Sequence, residues 1–406
     1  MKQLYIRKNY LDQLKKFKDS DFIKVITGVR RSGKSVLLMQ YQDYLISEGI
    51  SPENIIYINL EAFEFLNVKD EVKLSELLLN MIKNKSQKYY LLIDEIQWVD
   101  GWQKVINGLR VSFNCDIVIT GSNAKLLSGE LATLLSGRYV EIVVFPFSFK
   151  EFLESKHIAI ESRKVDLMYK EYERYGGFPS VVYSDETIKT TILSGIYDSI
   201  ILNDIADRGL IRDTFSLKRV VSFLADNVGQ MINSNKIANI LKSEKLSISN
   251  HTVNRYLELL QDAFLFYEAK SYDIRGKNYL KQNSKYFMID NGLRNEAVSF
   301  QGGNFGNRLE NLVYIELLRR GYEVSIARID DKEIDFIARK PDITIYYQVT
   351  HQIPSNTHET DNLLLLKDNY QKVLITGRYE DVSDIDGIRV VYVVDWLLET
   401  DSFNLS

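Results

Sequence analysis

Apolar positions in the first 150 residues fall into short, nearly continuous runs: Phe22–Thr27, Ile55–Leu60, Tyr89–Asp94, Asp116–Thr120 and Val140–Phe145. Runs of this length, rich in β-branched and aromatic residues, predict strands buried on both faces of a parallel sheet. Helical spacings lie between them. Trp102, Val105, Ile106, Leu109 and Phe113 recur at i, i+3, i+4, i+7 and i+11, one face of a helix. Strands alternating with helices predict an α/β core over residues 1–150, with helices on both faces of the sheet.

The pattern changes three times after that. Residues 151–233 carry only helical spacings, punctuated by Gly176, Gly177 and Pro179. Residues 234–298 predict a short helix at Asn235–Lys242, a turn, and a longer helix from about Ser249. Strands around Ala263–Ala269 and Tyr286–Ile289 follow. Helix, turn, helix and hairpin in that order predict a winged helix. Residues 299–406 predict a small, separate α/β domain. Its helix Gly306–Arg320 precedes strands at Glu323–Arg328, Glu333–Ala338 and Ile343–Thr350. A helix at Thr357–Lys367 and strands at Lys372–Thr376 and Ile388–Val394 complete it.

Composition narrows the classes. The 406 residues are 45% hydrophobic and 26% charged, so several packed cores are affordable and global disorder is excluded. A net charge of −4 excludes a histone-like polycation. One cysteine, Cys115, excludes an intrachain disulfide framework and multi-cysteine metal sites. The N-terminus lacks the apolar core of a secretory signal, and no apolar run approaches the ~18 residues that span a bilayer. No membrane association and a reducing cytoplasm are therefore expected.

The sharpest chemical signal is Gly28-Val29-Arg30-Arg31-Ser32-Gly33-Lys34-Ser35, which fits G-x-x-x-x-G-K-[ST] at every fixed position. It follows a predicted strand and opens a predicted helix that begins with Val36. Glycines let backbone N–H groups curl around phosphates, and the helix N-terminus adds partial positive charge. Lys34 is expected on the β- and γ-phosphates and Ser35 on Mg²⁺. Tyr89-Tyr90-Leu91-Leu92-Ile93-Asp94-Glu95 is an apolar strand ending in two acids. Asp94 fits the carboxylate that orders Mg²⁺, and Glu95 the base that polarises the attacking water. Downstream, Ser122 and Asn123 are equal candidates to face the γ-phosphate, and Arg138 is a candidate arginine finger, acting in its own chain or on a neighbour. Arg30 and Arg31 are rivals for that role. ATP and Mg²⁺ are the expected cofactors; the guanine-reading NKxD motif is absent, which disfavours a GTPase.

G-x-R-R-x-G-K-S, LLIDEIQ, ITGSN, L-x-G-R and PFSFKEF, in this order, resemble a family of AAA-type ATPases in which a P-loop core precedes a C-terminal domain of unknown function. Tyr175-Gly176-Gly177-Phe178-Pro179 and Asn203-Asp204-Ile205-Ala206-Asp207-Arg208 are similar to the same family. The resemblance implies an ATPase with Lys34, Ser35, Asp94 and Glu95 in the roles above, and no known biological task. ATP state is expected to reposition the later domains, with a protein partner that the sequence does not name.

Two further features bear on partners. Residues 234–285 hold nine Lys/Arg and five Asp/Glu, net +4, with the bases concentrated between Lys270 and Lys285 and Tyr272 and Tyr279 among them. This stretch is a candidate for weak DNA contact, and an ATP-gated DNA-binding protein is the alternative reading. The element order of residues 299–406 resembles restriction-endonuclease-like nucleases. Glu310 and Asp335 match two of their acids, but Gln348 and Thr350 stand where a carboxylate and a lysine are needed. That domain carries eleven bases against eighteen acids, net −7. It is expected not to cut DNA.

Overall fold

The computed structural model describes residues 4–127, 137–246, 248–300, 305–353 and 358–400. The chain forms two compact units: residues 1–145 with 262–264, and residues 146–261 with 265–406.

The first unit is built on a five-stranded, all-parallel sheet. Its strands are β1 (Ile23–Thr27), β2 (Ile55–Asn59), β3 (Tyr89–Asp94), β4 (Cys115–Thr120) and β5 (Tyr139–Val143), in spatial order β2-β3-β4-β1-β5. All five expected strands are present within two residues of their predicted ends. Successive side chains of β3 go to opposite faces, as the pleat requires. Leu91 and Ile93 pack under α3 (Glu71–Met81) and α4 (Trp102–Ser112), against Leu74, Leu78, Val105, Ile106 and Leu109. Tyr90 and Leu92 pack under α1 (Lys8–Lys16) and α2 (Lys34–Ser47), against Leu11, Leu14, Leu37, Leu38 and Tyr41. Burial on both faces explains why the strands read as continuous apolar runs. Lys24 interrupts β1 and is fully buried; it is paired with Asp116 on β4, so the charge does not stay uncompensated.

The second unit opens with helices at Phe149–Ser155, Val165–Tyr175, Pro179–Val182, Glu186–Ser199 and Thr214–Asp226, with a π-helical stretch at Ile200–Asp207. Glycines 176 and 177 have a packing reason. A Cβ on Gly176 would lie 1.9 Å from Asp290 Oδ1, and the Gly177 N–H donates to Asp290 Oδ2 at 2.7 Å. Asp290 also caps the helix Asn291–Ala297, accepting from the N–H groups of Gly292 and Leu293. The Asn203–Arg208 motif lies in the π-helical stretch, where Arg208 pairs with the buried Asp204 at 2.9 Å.

The helices Ser234–Ser243 and Asn250–Asp262 then precede the hairpin β6 (Phe266–Asp273) and β7 (Asn278–Met288). The element order expected of a winged helix is there, but the hairpin does not stand alone. β6 pairs in parallel with β8 (Glu323–Ile329), Ser271 opposite Ile326 and Asp273 opposite Arg328. With β9 (Lys332–Lys340), β10 (Ile343–Thr350), β11 (Gln371–Thr376), β12 (Asp384–Ile385) and β13 (Ile388–Tyr392) it forms one eight-stranded mixed sheet, in order β12-β13-β11-β10-β9-β8-β6-β7. The break expected near residue 298 therefore does not divide the sheet. Phe287 on β7, Tyr314 on the helix Phe305–Arg319 and Phe336 on β9 stack together, with ring centroids 4.1 to 5.7 Å apart.

Candidate nucleotide site

The segment from Gly28 to Ser35 joins the carboxyl end of β1 to the first turn of α2. Its backbone needs left-handed conformations at Arg31 (φ 65°) and Gly33 (φ 103°), and Gly28 has φ 134°. A Cβ on Gly28 would lie 2.3 Å from the Val144 carbonyl oxygen, so only glycine fits. The loop thus curls tightly in front of a helix N-terminus, an arrangement that directs N–H groups at an anion. Within it Ser32 is fully buried, and its Oγ has no hydrogen-bond partner among the described residues. A phosphate oxygen would satisfy that hydroxyl, and the residues present fit a nucleotide triphosphate. Lys34, also buried, donates from Nζ to the carbonyls of Gly28 (3.0 Å) and Val29 (3.2 Å). Val29 is buried, while Arg31 is exposed and Ser35 and Val36 are half-buried.

β4 lies between the loop strand β1 and the acid strand β3. Asp94 at the end of β3 is fully buried. Burial pushes its carboxyl above the ordinary range, against hydrogen bonds from Ser35 and Thr120 that favour the charged form. The Ser35 hydroxyl is near enough to Asp94 to favour its charged form, while Asp94 Oδ2 is buried with no hydrogen-bond partner among the described residues. That pair fits Mg²⁺, which takes one or two protein oxygens and completes its shell with phosphates and water. Glu95 follows in a left-handed conformation (φ 55°, ψ 49°), and its Oε1 lies 3.9 Å from Lys34 Nζ.

Two profiles match the chain: an AAA domain over residues 20–153, and a domain of unknown function over residues 167–303. An uncharacterized Haemophilus influenzae protein is 64% identical over 98% of this chain and 100% of its own length. An uncharacterized Methanocaldococcus jannaschii protein is 37% identical over 78% of this chain and 70% of its own. The chain belongs to this family of AAA-domain proteins. A solved Walker-type ATPase of Pyrococcus abyssi shares the fold, with a TM-score of 0.50 at 14% identity over 72% of this chain and 96% of that one. The domain of unknown function takes in the helical region and the hairpin, rather than the last strands as the sequence resemblance implied.

Of the residues the sequence singled out, the fold brings Gly28 to Val36, Asp94 and Glu95 to one end of the sheet. The turn Gly121-Ser122-Asn123 leaves β4 at that same end, with Ser122 buried and Asn123 half-buried. Arg138 is not brought there. It precedes β5 at the opposite end, where Tyr139 is level with Ile23, and its guanidinium is exposed and paired with Asp21 at 3.2 Å. The length of β1, five residues at ~3.3 Å each, separates it from the phosphate loop of its own chain. A finger role for Arg138 within its own chain is therefore ruled out by position. Arg30 is held by Glu61 at 2.9 Å.

Sequence reading missed four residues around the acids and the loop. Thr120 on β4 donates to Asp94 Oδ1 and accepts the Glu95 N–H at 2.9 Å. Gln97 donates to Glu95 Oε2. Burial and the nearby Asp94 carboxylate together push the phenol of Tyr57 on β2 up to about 12. Buried Arg7 donates to the Ser32 carbonyl (3.3 Å) and the Phe145 carbonyl (2.7 Å).

The second unit holds a separate acidic cluster that the sequence read incompletely. Glu310, Glu333 and Asp335 surround Lys285 of β7, whose Nζ lies 3.4, 2.8 and 3.9 Å from them. Burial opposes that charge, but the three carboxylates outweigh it and raise the Lys285 pKa. Asp335 Oδ2 further accepts the Val349 N–H, and the buried Gln348 accepts the Asp335 N–H. Thr350 turns to the Gln352 carbonyl. The cation here is an ammonium supplied by the chain, and the set does not fit Mg²⁺. Among the described residues no group of three or more His, Cys, Asp or Glu is arranged to hold a metal ion.

The same lysine removes a base from the stretch expected to meet DNA. Arg275 is spent on Asp330, and Tyr279 donates to Glu323. On the preceding helix, Arg255 donates to the Gly209 carbonyl. Lys270 and Lys277 are exposed; the side chain of Lys281 lies outside the described residues. No helix among the described residues is long and apolar enough to cross a membrane.

Proposed function

We propose that the chain is a Mg²⁺-dependent ATPase whose nucleotide state repositions its second unit on a protein partner. The observation that carries this reading is the approach of the buried loop lysine Lys34 to Glu95 at 3.9 Å, with the buried Asp94 one residue before that glutamate and Ser35 one residue after the lysine. Lys34 exchanges the loop carbonyls for the β- and γ-phosphates. Ser35 and Asp94 would hold Mg²⁺, which would supply positive charge against that developing on the phosphates. Glu95 takes the proton of the attacking water through its Oε1.

Coupling to the rest of the chain is supported at the exit of the core. Val144 donates to the Thr27 carbonyl at 2.8 Å and crowds Gly28. Arg7 joins the next residue, Phe145, to the loop through Ser32, and the second unit begins at Pro146. A shift of the loop on binding phosphate is thereby felt where the chain leaves the core. The cluster around Lys285 supports a second unit that does not cut DNA.

Isothermal titration of the full chain with Mg-ATP tests the reading. Lys34→Ala is expected to weaken binding at least ~30-fold, the worth of a charge-assisted contact to phosphate. Equal affinity for wild type and variant would overturn it.

A further inference from the structure

We propose that Gln97 and Thr120 are positioning residues that set the Glu95 carboxylate for the attacking water. The inference rests on the reading of Glu95 as the base, and it assigns the groups that make that base usable. Glu95 adopts a left-handed backbone that a non-glycine residue takes only when its surroundings enforce it. The enforcing group is Thr120. Its single hydroxyl, fully buried on β4, accepts the Glu95 N–H at 2.9 Å and donates to the neighbouring Asp94 carboxylate. One side chain thus fixes the backbone of the base and the rotamer of the metal acid together.

Gln97 fixes the other end. It stands in the short turn Ile96–Trp98 that Glu95 opens, and its amide donates to Glu95 Oε2. The two carboxylate oxygens are thereby made unequal. Oε2 is engaged by the amide, while Oε1 faces Lys34 at 3.9 Å and is the oxygen placed to take a proton. The far side of the Gln97 amide is packed against the turn after β4. Its Oε1 is buried without a hydrogen-bond partner among the described residues and lies 2.6 Å from where a Cβ on Gly121 would be. Gly121 is therefore glycine for a reason of space. A Cβ there would meet Leu126 Cδ1 first, at 2.0 Å, and the amide oxygen second. That turn leads into Ser122 and Asn123, the candidates for facing the γ-phosphate, so the amide lies between the base and that turn.

The test is steady-state ATP turnover by the full chain, with Mg-ATP affinity and thermal midpoint measured on the same preparations. Gln97→Ala is expected to lower kcat ~10- to 100-fold with KM within ~2-fold, the pattern of a mis-set base rather than a lost binding contact. Thr120→Val is expected to lower kcat and also to raise the Mg²⁺ concentration for half-maximal rate, whereas Thr120→Ser restores both. Gln97 is only half-buried, so Gln97→Ala carries the test where Thr120→Val folds poorly. Glu95→Gln separates the two levels. If Glu95→Gln abolishes turnover while Gln97→Ala and Thr120→Val keep wild-type kcat, the positioning proposal fails alone. If Glu95→Gln keeps wild-type kcat, the base reading fails and takes the proposal with it. A Gln97→Ala effect confined to KM would also overturn the proposal.

Discussion

Asp94 and Glu95 are adjacent acids with different surroundings. Asp94 is sealed at the end of β3, where burial raises its pKa and the hydroxyls of Ser35 and Thr120 only partly counter that. A raised carboxyl keeps its proton to higher pH in the metal-free protein, and Mg²⁺ must displace it. Affinity for Mg-ATP should therefore fall as pH drops through mildly acidic values, above the ordinary carboxylate range. Titration calorimetry at mildly acidic pH in two buffers of different ionisation enthalpy is expected to show proton release on binding, and none from Asp94→Asn. Equal release from both proteins would place the proton elsewhere. The residues of this site that sequence revealed are contiguous in the chain. Gly28 to Ser35 and Asp94-Glu95 each make a pattern that few other chemistries need. Thr120 and Gln97 stand inside the ITGSN and LLIDEIQ stretches, but no role was legible for them, because a threonine in a strand reads as β-branched core and a glutamine in a turn reads as surface. Arg138 misled for the converse reason: an arginine before a strand has the right type, and only the strand's direction shows that it leaves at the wrong end of the sheet.

Among the elements, β7 does more than close a hairpin. It carries Lys285 into three carboxylates supplied by β9 and the helix Phe305–Arg319. Replacing a buried cation by a neutral chain strands those acids. Lys285→Met is expected to destabilise the second unit by about 3 kcal/mol, read as a lower urea midpoint in the full chain. An unchanged midpoint would show that the cluster is solvated and the clamp unimportant. The strands of the first unit and the helices before the hairpin were legible, since each is set by local periodicity, but β7 begins eight residues before its expected start and the helix Val393–Leu398 was not expected. The membership of the sheet was not legible. β6 joins β8 across some fifty residues, and no local pattern encodes a parallel pairing at that distance. The hairpin thus looked like an independent wing, and its bases looked available to phosphate.

Across the whole molecule, the account requires that nucleotide be felt beyond the core. Backbone hydrogen exchange in the β5 exit, residues 141–147, is expected to slow when Mg²⁺ and a non-hydrolysable ATP analogue are added, and to stay unchanged in Lys34→Ala. Exchange that ignores nucleotide would detach the second unit from the site. The central claim is hydrolysis itself, and one measurement reaches it most directly. Phosphate release from Mg-ATP by the purified full chain is compared with release by Glu95→Gln, with binding measured in parallel. The account predicts turnover by wild type, and a loss of ~100-fold or more in kcat for the variant at unchanged ATP affinity. Turnover by Glu95→Gln at the wild-type rate would contradict it.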